Sequence, residues 1–88
     1  MNSNVQELVA YIARSLVRDP DAVKVVVTEN DASVLVELSV APEDMGRVIG
    51  KQGRTAKAIR TVVSVATAKN SKPVFVEIHK PEDDEAQN

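Results

Sequence analysis

The residues able to do chemistry are concentrated in one segment, Gly46-Arg47-Val48-Ile49-Gly50-Lys51-Gln52-Gly53-Arg54, which holds all three glycines of the 88-residue chain. Glycine costs backbone entropy and is placed where the chain needs a positive φ or a close approach by something else. Three glycines interleaved with three cationic side chains make a backbone surface suited to an anion. Elsewhere the chemical inventory is thin. There is no cysteine, so thiolate metal sites and disulfides are excluded. The one histidine, His79, has no second His or Cys near it and reads as a solvated side chain rather than a ligand or base. No Ser/His/Asp set, paired carboxylate or metal-ligand spacing stands out, so the expectation is a binding protein with no catalytic residues, no metal, no cofactor and no small-molecule substrate.

Two nucleotide-binding loops fail on spacing. A Walker A loop needs G-x-x-x-x-G-K-[ST], but only three residues separate Gly46 from Gly50, and Gln52 stands where a magnesium-binding hydroxyl belongs. A dinucleotide loop needs G-x-G-x-x-G directly after a strand, and no G-x-G occurs. What remains is Gly50-Lys51-Gln52-Gly53, a G-x-x-G between two helical patterns. Glycines at both ends let the backbone approach a sugar-phosphate chain with no Cβ in the way. The loop opens a helix whose free amides and positive dipole favour phosphate. Lys51 and Arg54 add charge, and Val48 and Ile49 offer an apolar floor for unstacked bases. A plain helix–helix corner is the rival reading, but a corner seldom needs three glycines with Lys and Arg.

The elements that must hold this loop follow from periodicity. Ser3 and Gln6 form a capping-box start, after which Val5, Leu8, Val9, Ile12 and Leu16 recur at helical spacing. Arg14 and Arg18 suit the negative end of the helix dipole, and Asp19-Pro20 stops the helix. Residues 23–28 alternate, with Val23, Val25 and Val27 on one face. Glu29-Asn30-Asp31 is a turn, and residues 34–40 form a second strand with Val34, Val36, Leu38 and Val40 inward. Pro42-Glu43-Asp44 is a helix start with acids at the positive dipole end. That short helix ends at Gly50, with Gly46 assigned to helix packing. The next helix is expected from Gly53 or Arg54 to about Lys69, with Ile59, Val62, Val63 and Ala66 on its apolar side. Arg54, Lys57 and Arg60 lie nearly opposite, continuous with the loop, although Lys57 and Arg60 are also compatible with an ordinary solvated face. Asn70-Ser71-Lys72-Pro73 is a break, and Val74, Val76 and Ile78 alternate as a third strand. The order is α-β-β-α-α-β, an α+β fold with a three-stranded sheet covered on one face by helices.

Composition agrees with one small domain, residues 1–80, followed by an acidic disordered tail, 81–88. One Tyr, one Phe and no Trp require an aliphatic core. The net charge of −2 alone would argue against nucleic acid, but its distribution does not. Between residues 45 and 76 lie Arg47, Lys51, Arg54, Lys57, Arg60, Lys69 and Lys72, and no acid. Screening confines each charge to about 8–10 Å, so a local basic field on an acidic chain still attracts phosphate. No apolar run approaches the length of a membrane span, and a cytoplasmic location is expected.

The run Val48-Ile49-Gly50-Lys51-Gln52-Gly53, with Ile59 downstream and a β-α-α-β unit around it, resembles the V-I-G-x-x-G core of KH domains. The extra helix and strand precede the unit, as in type II KH domains. In size the chain is similar to the small bacterial KhpA family of RNA-binding proteins. That resemblance implies single-stranded RNA as ligand, contacted through Val48, Ile49, Gly50, Lys51, Gln52, Gly53, Arg54 and Lys57. It further implies an RNA chaperone role, homodimers, heterodimers with a KhpB (Jag-type) partner, and a link to cell elongation and peptidoglycan homeostasis. A second reading treats the chain as a dimerisation or adaptor module, with Val62 and Val65 of the second long helix turned towards a partner that supplies most of the RNA binding.

Overall fold

The computed structural model describes residues 2–69 and 71–79, and the acidic tail expected from residue 81 lies outside them. The elements are α1 (Asn2–Leu16), β1 (Lys24–Glu29), β2 (Val34–Ser39), α2 (Met45–Ile49), α3 (Arg54–Ala66) and β3 (Val74–His79). This is the expected order, and the fold is α+β of the type II KH arrangement. The sheet order is β1-β2-β3, with β1 antiparallel and β3 parallel to the central β2. Alternation assigned each strand a face but could not say which strand lay in the middle.

Register puts Val25 and Val27 of β1, Val34, Val36 and Leu38 of β2, and Val74, Val76 and Ile78 of β3 on one face. The helices cover that face. Val9 and Ala13 from α1, Val48 from α2, and Ile59 and Val63 from α3 complete the core. Burying such side chains stabilises by about 1.5–3 kcal/mol each, which is the main favourable term in so small a chain. The core is aliphatic as expected, since both aromatics lie outside it: Tyr11 is 72% exposed and Phe75 56%.

Several local readings change. The α1 helix begins at Asn2, so Ser3 lies inside it rather than at its cap. The Gln6 amide instead donates to Val25 O at 2.8 Å and pins α1 to β1. At the other end of the fold α3 stops at Ala66, short of Lys69, and the buried Thr67 hydroxyl donates to Val63 O at 2.7 Å just past its end. The hairpin loop closes on Asn30, whose Oδ1 accepts from Ala32 N and Ser33 N, both at 2.8 Å. That is an Asx turn.

Asp44 departs furthest from its expected role. It is 2% exposed and makes no side-chain cap to α2. Its two carboxylate oxygens accept from Arg18 N and Asp19 N, both at 3.1 Å, where the chain leaves α1. Arg47 Nε stands 3.4 Å from the same carboxylate and balances its charge. The acid therefore joins the exit of α1 to the entry of α2. Removing it strands two amides and the Arg47 cation, and hydrogen bonds to charged groups are worth about 1.5–3 kcal/mol each. Asp44→Ala is expected to lower stability by about 3 kcal/mol, or roughly 15 °C in Tm for a domain of this size, in urea and thermal melts.

Candidate nucleic-acid interface

The chain turns from α2 into α3 through two glycines that do different work. Gly50 ends α2 with φ 76° and ψ 173°, a region essentially reserved for glycine. Its N–H donates to Gly46 O at 2.9 Å, closing the last turn of α2. A Cβ at Gly50 would collide with Thr55 Oγ1 and sit 2.9 Å from Thr55 N, so both conformation and space exclude a side chain there. Gly53 has φ 74° but open space around it, so only its left-handed backbone favours glycine. Gly46 also has open space around it and is exposed on α2. The packing role expected of it is therefore absent, and nothing within 4 Å would meet a Cβ there.

Between the glycines, Lys51 to Gly53 make one tight turn in which Gly53 N donates to Gly50 O at 3.1 Å. Gln52 has φ 57°, the one non-glycine residue with positive φ among the described residues, and that conformation costs about 1–2 kcal/mol. Two successive left-handed residues lead directly into α3, whose N-terminal Gly53 offers no side-chain cap. No acid lies in the first turn of α3 either. Backbone N–H groups in such turns, together with the N-terminal amides of a thirteen-residue helix, favour a negative partner.

The side chains divide by burial. Lys51, Gln52, Arg54 and Lys57 are exposed. Arg54 Nη2 donates to Gln52 Oε1 at 3.2 Å, which ties the guanidinium to the turn. Neither Lys51 nor Lys57 has an ion-pair partner among the described residues. Val48 is fully buried and supports the loop from beneath, while Ile49, 36% exposed, is the apolar side chain left at the surface. One shallow depression is lined by Lys51, Gln52 and Arg54, and a second by Arg54, Lys57, Ala58, Thr61 and Val62. They meet at Arg54, giving a basic path from the loop along α3.

Arg60 does not belong to that path. Its Nε donates to Val76 O at 3.1 Å, so it turns towards β3. Lys72 is likewise occupied, with Nζ 2.6 Å from Glu29 Oε2. The residue missed by sequence reasoning is Thr55, whose hydroxyl fills the space beneath Gly50. Its position five residues after Gly50, in the first turn of α3, was the available signal.

A family model described as KhpA/KhpB, KH domain, matches residues 6–78. The chain belongs to this family. Proteins named RNA-binding protein KhpA are similar over most of their length to this member of the KhpA/KhpB family. That of Caldanaerobacter subterraneus subsp. tengcongensis is 58% identical over 82% of this chain and 96% of its own. That of Clostridium perfringens is 57% identical over 84% and 99%, and that of Bacillus subtilis 46% identical over 88% and 95%.

The unequal glycines predict unequal substitutions. Gly50→Ala combines a forbidden backbone with a collision and is expected to cost about 3 kcal/mol or more. Gly53→Ala meets only the left-handed penalty, about 1–2 kcal/mol. Urea denaturation of the two variants beside the parent chain checks the ranking.

Proposed function

We propose that this chain binds single-stranded RNA, clamping its backbone at Gly50-Lys51-Gln52-Gly53. The observation that carries the reading is the turn itself: a backbone stripped of Cβ where it must be, opening an uncapped helix, beside Arg54 and two lysines with no ion-pair partner among the described residues. Membership of a family whose relatives bear the name RNA-binding protein supports it. In this reading Gly50 to Gly53 present amides to phosphate, and Lys51, Arg54 and Lys57 neutralise successive phosphates. Ile49 faces the bases, with Val48 holding the floor beneath it. Residues 1–80 act as one KH domain, with the acidic segment 81–88 outside it. The protein is a binding module rather than an enzyme, works in the cytoplasm as an RNA chaperone, and contributes to cell elongation and peptidoglycan homeostasis. Among the described residues no helix is long and apolar enough to cross a membrane.

The test is fluorescence anisotropy with a labelled single-stranded RNA over a range of salt. Three neutralised phosphates give a slope of log K against log salt of about −2, from roughly −0.7 per phosphate. Lys51→Ala should lower the slope by about 0.7. The double variant Lys51→Asp, Gln52→Asp should lose binding while its circular dichroism is unchanged. Full RNA retention by a folded double variant contradicts the clamp.

A second reading concerns the outer side of α3, where Val62 is 43% and Val65 73% exposed. Two β-branched apolar residues on the solvent side of a helix suit a contact with a second copy or with a KhpB-type partner. The alternative function, an adaptor whose partner supplies most RNA binding, draws on the same surface. A weak lone module gains from pairing because a second linked site raises the effective concentration. Val65→Asp is expected to convert a dimer to a monomer in sedimentation equilibrium at micromolar concentration, with the monomer still folded. A parent chain that sediments as a monomer throughout that range contradicts self-association.

A further inference from the structure

The sheet face turned away from the helices carries a cluster that the RNA reading does not use. Glu37 and Glu77 are register partners on the parallel strands β2 and β3, so their carboxylates project side by side from the same face. His79 lies two residues further along β3, also on that face. Far from being solvated as the sequence suggested, its side chain is 14% exposed and its Nε2 stands 3.4 Å from both Glu37 Oε2 and Glu77 Oε1. One donor atom from each of the three residues lies within 4.8 Å of the others. We propose that Glu37, Glu77 and His79 form a site for one divalent transition cation of the zinc class.

Three observations lead there. Like charges on directly paired strand positions repel, so two adjacent carboxylates call for a positive charge between them. The Nε2 atom is buried yet makes no hydrogen bond. An unsatisfied buried nitrogen is costly, and a cation shared with the two carboxylates beside it would satisfy it. The distances also discriminate. A charge-assisted hydrogen bond from imidazole to carboxylate would be about 2.7–2.9 Å and directed at the oxygen. A separation of 3.4 Å to two oxygens matches two edges of a tetrahedron whose metal–ligand bonds are about 2.0–2.1 Å, edges of roughly 3.3–3.4 Å, and the two carboxylate oxygens, within 4.8 Å of each other, would close the third edge around an ion.

The donor set names the class. Calcium and magnesium are held by oxygens alone, whereas one neutral imidazole with two carboxylates suits zinc and its first-row neighbours. Three protein donors leave a fourth position for water. Bound there, the cation would balance both carboxylates and clip β2 to β3 near the ends of both strands.

The experiment is isothermal titration calorimetry of the full chain with zinc chloride near neutral pH after chelator treatment, with magnesium chloride as the control. One zinc per chain is expected, a higher Tm in its presence, and no comparable heat from magnesium. His79→Gln and Glu77→Gln should each weaken zinc binding by at least about tenfold, a loss usual even for outer partners of a metal ligand. Glu77 is exposed enough that its amide variant should fold, so it decides the matter if the His79 variant does not. Changing Glu82, Asp83, Asp84 and Glu85 to amides should leave zinc binding intact. The proposal is overturned if the parent chain shows no saturable zinc binding, if Glu77→Gln binds as tightly as the parent, or if binding disappears with the four tail acids.

Discussion

The constraint on which the glycine turn depends is the backbone of Gly50. At φ 76° and ψ 173° it ends α2 and swings the chain into a turn that begins α3 only four residues later. Thr55 packs into the space where a side chain would be. Every other property of the loop follows from that reversal: the exposure of Lys51 and Gln52, the uncapped amides of α3, and the approach of Arg54 to Gln52. Gln52 itself holds a conformation that most side chains avoid. Such strain persists where the surrounding structure over-determines it, and here the flanking glycines and two packed helices do so.

A turn can only be as well placed as the helices on either side of it. α3 is fixed by Ile59 and Val63 in the core and by Arg60 on the carbonyl of Val76. α2 has five residues and little surface to bury, and alone would be unstable. It is held by Val48 beneath and by Asp44 at its entry, where a buried carboxylate gathers two amides from the chain leaving α1. A polar contact at one end and an apolar one at the other thus fix a helix too short to fix itself.

Much of this was readable in the residues, and what was not has definite causes. Alternating Val and Leu in the strands and the stripe in α1 fix element type and face through period alone. The glycine spacing isolates the loop because Walker A and dinucleotide loops demand other spacings. Strand order is invisible to period, so the central position of β2 and its parallel pairing with β3 had to come from the structure. The difference between Gly50 and Gly53 lies in ψ and in the position of Thr55, neither of which a glycine letter carries. Asp44 has the signature of a first-turn acid, and only the path of the chain after α1 turns it inward. Arg60 lies near the basic stripe by angle, yet its reach to Val76 O depends on how closely β3 packs. His79 was misread because one of its two acidic neighbours arrives from β2 across the sheet.

The parallel pairing of β2 with β3 has a kinetic consequence. The β1–β2 hairpin closes across a short local loop at Asn30, whereas the first β2–β3 pair joins Val34 to Val74. Closing so long a stretch of chain costs entropy before any pairing is formed to offset it, so non-local parallel contacts form slowly. Both helices beside the glycine turn lie inside that crossover. The hairpin closes locally, whereas the glycine turn lies in the stretch of chain that the slow-closing β2–β3 pairing spans. During synthesis the β2–β3 pairing can form only once β3 has been made, after both helices that flank the turn.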